Sequence, residues 1–239
     1  MRDVRARLIV AGLPAKGEAV ALPREESAHV RARRLVRGDA VLLLDGSGRV
    51  AEAEIVAGAR GETLVRVSRI VEAAANEAPI SLLVAGIRAE RLSWLVEKAT
   101  EMGADRITIV TTSRTQAFRA SAGALPRLRR IACEAAKQCE RNDWPSVEGP
   151  VSFERVLATE TGSQRLLLDR DGRAFPRRIE REPAALLVGP EGGFTETERD
   201  AASSRGWQVV RLPAGKLRSE TAAIAGLVLL RAAGERETG

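Results

Sequence analysis

The sequence has no tyrosine, one histidine and two cysteines. The single histidine, His29, argues against the usual catalytic triads and excludes a histidine-rich metal site, so we expect no bound metal. Cys133 and Cys139 lie six residues apart in a predicted helix, a spacing that fits neither a disulfide framework nor a zinc knuckle. Any chemistry must therefore use Arg, Lys, Asp, Glu, Ser, Thr and backbone groups.

Long apolar runs are also missing. No segment approaches the ~18 apolar residues that a membrane span requires. The first residues, MRDVRARLIV, lack the apolar stretch and the cleavage site of a signal peptide. We therefore expect a cytoplasmic protein with no membrane partner. Its 239 residues, 44% of them hydrophobic, can form the core of an enzyme.

The charge is basic, with 38 Lys and Arg against 32 Asp and Glu and a pI near 10.2. Such an excess favours a polyanionic partner such as nucleic acid. Only four of the 38 cations are lysines, however, so arginine-rich codon usage explains the excess equally well. Composition alone leaves both explanations open.

Two patterns divide the chain. Before residue 71, short β-like runs broken by Gly and Asp predict a small β-barrel with few helices. The segment EAAANEAP at 72–79 loses periodicity, which predicts a boundary between domains at 1–73 and 74–239. After Pro79, apolar strands alternate with helices, which predicts an α/β fold with a parallel sheet. Strands are predicted at 80–87, 106–112, 165–169, 184–189 and 207–212, and helices at 91–102, 125–141 and from 219 onward.

The last predicted helix is apolar nearly all round from Ala222 to Leu230. Such a helix must be buried on more than one side. A sheet on one side and a second subunit on the other would satisfy this requirement. We therefore predict a homodimer.

The segment GSGRVA at 46–51 formally matches a dinucleotide-binding fingerprint. A true fingerprint must open a helix, but the residues that follow alternate between polar and apolar. The segment DGSG at 45–48 is therefore predicted to be a hairpin turn.

The segment GPEGG at 189–193 follows a predicted buried strand. Just after it, Thr195 and Glu198 form a T-x-x-E capping box, which predicts a helix start. Glycines allow a ligand close to the backbone, and the helix start offers free N–H groups. The loop should lie at the carboxyl edge of the sheet, where open α/β folds bind ligands.

Two further segments carry polar residues at similar places. In LRSETA at 217–222, helix capping explains Ser219 and Glu220 but not Arg218 at the same sheet edge. In EAAKQCERNDWP at 134–145, the charged side chains form either a solvated helix face or an RNA contact.

Together with EKATEMG at 97–103, these segments resemble the 16S ribosomal RNA uridine-N3 methyltransferase family of the SPOUT superfamily, whose characteristic pieces occur in this order. Arg7, His29 and the turn at Gly38 and Asp39 suit that family's PUA-like N-terminal barrel. Two departures stand out: PAGK at 213–216 replaces a Gly-x-Arg-hydrophobic run, and matching Arg34 to the family arginine requires a one-residue gap.

The resemblance implies an RNA-binding PUA-like barrel followed by a SPOUT domain with a trefoil knot, an exception to unknotted topology. It also implies a dimeric enzyme that binds S-adenosylmethionine in the knot and methylates N3 of a uridine in 16S rRNA. The residues expected to contact the donor are Leu167, Leu168, Gly189, Pro190, Glu191, Gly192, Gly193, Leu212, Leu217 and Thr221.

For catalysis, Arg218 is expected to stabilise charge on the uracil carbonyls, and either Glu220 or Glu191 to accept the N3 proton. The residues expected to contact RNA are Arg7, His29, Arg34, Arg88, Arg114 and Arg141. Two alternatives stay open: a SPOUT enzyme acting on another RNA, and a non-catalytic RNA-binding factor of ribosome assembly.

Overall fold

A computed structural model describes residues 4–59, 61–72, 76, 78–115, 123–180 and 182–234. The chain forms two compact units. The first comprises the residues up to Ala75 together with Ala136–Trp144, and the second comprises Asn76–Ala135 together with the residues from Pro145. The segment 136–144, which lies within the second domain of the predicted division, thus packs with the first unit.

The first unit contains a five-stranded sheet with the strand order β1-β3-β4-β5-β2. Alternation of small or apolar side chains with polar ones produces these strands; in β5, for example, Thr63, Val65 and Val67 are buried between exposed neighbours. The strands are β1 (Ala6–Ile9), β2 (Ala19–Ala21), β3 (Ala40–Leu44), β4 (Val50–Ala59) and β5 (Glu62–Val71).

The predicted hairpin turn at 45–48 is confirmed, because β3 and β4 pair in antiparallel fashion on either side of it. Gly46 adopts a φ of 83° there. A Cβ atom on Gly46 would lie 2.6 Å from the ring of Trp144, so this turn tolerates no side chain.

Helix α1 (Arg24–Ala32) was not expected among the N-terminal strands. Its buried face consists of Glu26, Ser27 and Val30, and two of these three are polar, so the apolar periodicity of a helix is hidden. Glu26 is paired with Lys137 at 2.9 Å, and both side chains are buried. This ion pair contributes to holding the segment 136–144 within the first unit.

The second unit contains a six-stranded sheet with the order β11-β9-β10-β6-β7-β8. Every neighbouring pair is parallel, so the predicted parallel α/β sheet is confirmed. The strands are β6 (Ile80–Ala85), β7 (Arg106–Thr111), β8 (Ser146–Ser152), β9 (Gln164–Ala174), β10 (Ala184–Val188) and β11 (Gln208–Arg211). The helices are α2 (Ala89–Glu101), α3 (Ala124–Gln138), α4 (Phe153–Thr159), α5 (Glu196–Ser204) and α6 (Ser219–Gly234), with the last residues of α3 in the first unit.

The sequence does not predict strand β8 or helix α4. Strand β8 lies at an edge of the sheet and contains Gly149 and Pro150, which are uncommon inside strands. Alternate residues of β8 are exposed, so it has no apolar run to mark it. Helix α4 has only seven residues, too few for a clear helical period.

Apolar clusters cover both faces of this sheet, which is typical of parallel sheets. On one face Leu82 and Val84 pack with residues of α2, α3 and α6; on the other Leu83 and Leu187 pack with residues of α4 and α5. All five residues of β10 are buried. The loop after β10 therefore starts from a fully buried strand.

No helix in the described parts of the chain is long and apolar enough to cross a membrane. Within the same parts, no three His, Cys, Asp or Glu side chains gather as metal ligands would.

Candidate active site

The glycine loop Gly189–Gly193 joins β10 to α5 at the carboxyl edge of the parallel sheet. The capping box predicted beside it is confirmed, since Thr195 Oγ1 accepts a hydrogen bond from the N–H of Glu198 at 3.1 Å. The Glu198 carboxylate in turn accepts one from the N–H of Thr195 at 2.8 Å. These bonds fix where α5 begins and hence where the glycine loop ends.

A cavity of about 650 Å³ opens at this edge of the sheet. Its volume lies in the range of small-molecule sites, which extends from about 300 to 1,000 Å³. Three stretches supply most of its walls: the middle of β9, the glycine loop, and the residues between β11 and α6. Eight of the ten residues predicted to contact a donor line it, namely Leu168, Gly189, Pro190, Glu191, Gly192, Gly193, Leu212 and Leu217.

The other two residues predicted for this set, Leu167 and Thr221, do not line the cavity. Leu167 points to the opposite face of the sheet from Leu168, because successive side chains of a strand alternate, and it is fully buried there in the cluster with α4 and α5. Thr221 is exposed on α6, whereas Ser219 and Ala222 of the same helix line the cavity.

Several polar residues that line the cavity were not predicted from the sequence. Strand β9 runs on to Ala174, five residues beyond its predicted end, and Asp169, Arg170 and Asp171 line the cavity from there. Arg199 of α5 pairs with Asp169 at 3.4 Å and with Asp171 at 3.5 Å. The run DRD directly after the apolar RLLL could have indicated these residues, because parallel strands end at the ligand edge.

The loop after β7 is tied to the glycine loop and to α5. Arg114 Nη1 donates a hydrogen bond to the carbonyl oxygen of Gly192 at 2.7 Å, and the N–H of Ser113 donates one to Glu198 Oε1 at 2.8 Å. Burial favours a higher pKa for Glu198, but the hydrogen bonds from Ser113 and Thr195 outweigh it and hold the pKa below its ordinary value. The ionised side chain of Glu198 therefore connects the loop after β7 to the end of the glycine loop.

Two of the three predicted catalytic residues share a partner that was not predicted. Arg91 of α2 donates to Glu191 Oε1 at 2.8 Å, and its Nε lies 3.6 Å from Glu220 Oε1. Glu220 is buried at the start of α6, and Glu191 is exposed at the cavity. The third residue, Arg218, is exposed just before α6 and does not line the cavity.

The predicted RNA-contact residues fall in both units. In the first unit, Arg34 is exposed and His29 partly exposed on or just after α1, while Arg7 and Arg141 are largely occupied within the unit. Arg7 Nη2 donates a hydrogen bond to the carbonyl oxygen of Arg141 at 2.7 Å, and Arg141 Nε pairs with Asp143. Burial lowers the pKa of Arg7, although Glu140 and Cys139 act to raise it. In the second unit, Arg88 is exposed at the start of α2 and Arg114 lines the cavity.

Comparison with known proteins agrees with this architecture. The family model of the RNA methyltransferase domain matches residues 74–231. The chain is 30% identical over 210 residues to ribosomal RNA small subunit methyltransferase E of Synechocystis, covering 84% of this chain and 69% of that protein. It is 31% identical over 228 residues to the protein of the same name from Mycobacterium tuberculosis, covering 90% and 87%.

Among solved structures, a Legionella pneumophila protein described as a methyltransferase, with its bound cofactor SAM, superimposes with a TM-score of 0.85. It is 28% identical and the match covers 96% of this chain and 98% of that one. The parallel sheet and its glycine-lined cavity lie within residues 74–231, which match the domain model. This match places the chain in the class of proteins with an RNA methyltransferase domain. Within that class, the chain belongs to the ribosomal RNA small subunit methyltransferase E family.

Proposed function

We propose that this protein methylates N3 of a uridine in the 16S rRNA of the small ribosomal subunit, with S-adenosylmethionine as the methyl donor. The observation that carries the proposal is the cavity of about 650 Å³ formed by the middle of β9 and the ends of β10 and β11. The names of the relatives support the choice of RNA. The bound cofactor of the Legionella protein supports the choice of donor.

The cavity residues fit such a donor. Apolar side chains of Leu168, Val188, Leu212, Leu217 and Ala222 offer a surface for the adenine ring. Gly189 allows the loop to pack closely on Phe194, since a Cβ atom on Gly189 would lie 2.9 Å from the ring of Phe194. Carboxylates and cations occupy the same cavity and can hold the polar groups of the amino acid and ribose.

The chemistry requires an activated methyl group and a deprotonated N3. S-adenosylmethionine supplies the methyl group on its sulfonium, so positioning of the two reactants provides most of the acceleration. The uridine must leave its stack to reach the donor. Arg218 stabilises the negative charge that develops on the uracil carbonyls, and Glu220 or Glu191 accepts the N3 proton.

The RNA is held in this proposal by the N-terminal domain, residues 1–73, as a PUA-like barrel. Its supporting feature is a basic, exposed stretch on and after α1 that includes Arg31, Arg34 and Arg37. Residues 74–239 form the SPOUT domain, and the trefoil knot belongs to the same proposal.

We further propose that the protein acts as a homodimer. The large side chains of Trp94 on α2 and Val228 on α6 are 44% and 43% exposed. Thr221 and Val228 lie seven residues apart, so they share one face of α6 that nothing in the described chain covers completely. A second subunit would bury this face, and equilibrium sedimentation would test it.

The experiment that tests the function is methyl transfer from labelled donor to purified RNAs. Small subunits lacking the modification, large subunits and transfer RNA are incubated separately with the protein. Label in the small subunit alone supports the proposal, and label in transfer RNA alone favours the SPOUT enzyme with another target. Calorimetry with the donor separates the third possibility, since an assembly factor without catalytic function would not bind it.

A further inference from the structure

Strand β9 contains a bulge beside the cavity. Leu167 of β9 pairs with Val209 of β11, but the next residue of β11, Val210, pairs with Arg173. The pairing skips residues 168–172 of β9, which therefore form a bulge. Bulges of this kind re-aim side chains and are common next to active sites. The first four residues of the bulge line the cavity.

The bulge and helix α5 bring together three charged side chains that line the cavity, Asp169, Asp171 and Arg199. Arg199 Nη1 lies 3.4 Å from Asp169 Oδ2 and 3.5 Å from Asp171 Oδ2. The N–H of Asp171 donates a hydrogen bond to Asp169 Oδ1 at 3.0 Å, which holds the Asp169 carboxylate within the bulge. Both ion pairs are longer than a charge-assisted hydrogen bond, which measures about 2.7–2.9 Å. The carboxylate of Asp169 and the guanidinium of Arg199 therefore lie side by side without a tight hydrogen bond, and each can still bind a ligand.

The carboxylates of the cavity differ in exposure. The side chain of Asp169 is 8% exposed, whereas that of Asp171 is 80% exposed. Attraction between charges is stronger where water is excluded, so Asp169 offers the stronger site for a cation. Glu191, which also lines the cavity, is 48% exposed and already accepts a hydrogen bond from Arg91. Asp169 is therefore the carboxylate best placed to bind a cationic group of a ligand.

The cavity has an apolar side and a charged side. Leu168, Val188 and Leu212 line it, and they lie in or against the apolar cluster on the sheet face that packs with α2, α3 and α6. Asp169 pairs instead with Arg199 of α5, a helix that packs on the other face. S-adenosylmethionine shows the same division, because it has a flat adenine ring at one end and a charged amino acid at the other.

We propose that Asp169 binds the α-ammonium group of the donor's amino acid and that Arg199 binds its α-carboxylate. These two groups are attached to one carbon atom, so a receptor for them needs an anion and a cation side by side. Asp169 and Arg199 meet this requirement, whereas Arg114 and Arg211, which also line the cavity, donate to backbone carbonyl oxygens. The pair thus orients the amino acid towards α5 and the adenine towards the apolar side. This inference rests on the donor of the proposed function.

The test measures calorimetric dissociation constants for four ligands. S-adenosylhomocysteine keeps the amino acid and 5′-methylthioadenosine lacks it, and neither is charged at sulfur. Decarboxylated S-adenosylmethionine keeps the ammonium group of S-adenosylmethionine but lacks its carboxylate. The full-length variants are Asp169→Asn and Arg199→Gln, with a thermal melt to establish folding. Asp171→Asn is the matched control, because it changes the other carboxylate that pairs with Arg199.

Loss of a hydrogen bond to a charged group corresponds to about a 10- to 100-fold rise in Kd. Asp169→Asn should raise the Kd for S-adenosylhomocysteine by such a factor and hardly change that for 5′-methylthioadenosine. Arg199→Gln should raise the Kd for S-adenosylmethionine similarly. It should not raise the Kd for the decarboxylated donor, whose ammonium group then meets Asp169 without a competing cation. Asp171→Asn should bind all four ligands like the wild type, because its carboxylate lies in water.

Several results would overturn the proposal. If Asp169→Asn weakens both thioether ligands equally, Asp169 binds the nucleoside part, for example through the ribose hydroxyls. Equal losses of S-adenosylmethionine and its decarboxylated form in Arg199→Gln would contradict a carboxylate contact, and an Asp171→Asn loss as large as that of Asp169→Asn would contradict the choice of Asp169. If Asp169→Asn does not fold, the wild type decides, since equal affinity for S-adenosylhomocysteine and 5′-methylthioadenosine excludes a site for the amino acid.

Failure of the proposed function gives a different result. A wild-type protein that binds neither S-adenosylmethionine nor S-adenosylhomocysteine overturns that function, and no variant is needed to see it. A wild-type protein that binds both, with variants that do not follow the pattern above, overturns only the roles of Asp169 and Arg199.

Discussion

The carboxylate of Glu198 accepts a hydrogen bond from the backbone N–H of Ser113, at 2.8 Å and across 85 residues of chain. The same carboxylate caps its own helix through Thr195. One side chain therefore fixes the start of α5 and the loop after β7, from which Arg114 reaches the carbonyl of Gly192. Glu198 and Arg114 together therefore hold the glycine wall of the cavity in place.

Replacing Glu198 by Gln should destabilise the fold by about 1–2 kcal/mol at pH 7, because a capping acceptor and a charge-assisted bond are both weakened. The pKa of Glu198 is lowered in the folded protein. The ionised side chain therefore makes its full contribution to the free energy of unfolding above the ordinary glutamate pKa of about 4.3. This contribution is lost as the pH falls through the lower pKa of the folded state. Urea unfolding from pH 7 to pH 3 measures this. The control is Glu196→Gln, an exposed acid in the same first turn, and a difference that grows towards low pH would contradict the account.

Replacing Gly189 by Ala should weaken donor binding. The added Cβ atom would lie 2.9 Å from the Phe194 ring, and overpacking of this kind costs about 1–3 kcal/mol, equal to about a 5- to 150-fold rise in Kd if the loop bears all of it. Calorimetry with S-adenosylmethionine checks the change. Gly12→Ala, where no atom lies within 4 Å of the added Cβ, should bind donor like the wild type; equal losses in both variants would show that the loop geometry is not the cause.

Replacing Arg34 by Gly should stabilise the first unit while weakening RNA binding. Arg34 follows α1 with a φ of 56°, a conformation in which Gly is favoured by about 1 kcal/mol. The side chain is exposed, so its proposed use is contact with RNA. Glu140 has the same conformation, with a φ of 62°, and Glu140→Gly should raise the melting temperature without weakening RNA binding. Filter binding and thermal melts measure both, and an Arg34→Gly variant with wild-type affinity would remove Arg34 from the RNA-contact set.

Replacing Arg218 by Ala should lower kcat by about 10²-fold, as expected for loss of a group that stabilises transition-state charge, with little change in donor Kd. The donor Kd should hardly change because Arg218 is exposed beside the cavity and is not part of its lining. Single-turnover methylation and calorimetry separate the two quantities. Equal losses in both would mean that Arg218 serves binding.

The local features of the second unit could be predicted from sequence. The apolar run AALLV and the T-x-x-E box mark β10 and the start of α5 because both signals lie within a few residues. The edge strand β8 could not be found in this way, since Gly149 and Pro150 interrupt its pattern. The family resemblance is confirmed by the match to the domain model and by the relatives at 30% identity or more.

Contacts between distant segments could not be predicted at all. Arg91 lies 100 residues before Glu191, and no period or motif connects the two. The position of Leu167 away from the cavity lining was hidden for a related reason, because sequence spacing does not reveal which face of a central strand meets a cavity when both faces are apolar. Contacts between distant segments depend on the order of the strands in the sheet. Local sequence patterns carry no information about that order.

The most direct test of the central claim is the identity of the methylated nucleoside. Small ribosomal subunits lacking the modification are incubated with the protein and isotopically labelled S-adenosylmethionine, and the 16S rRNA is digested and analysed by mass spectrometry. The account predicts label in 3-methyluridine. Label in a 2′-O-methylated ribose, or in any base other than uracil, would contradict it.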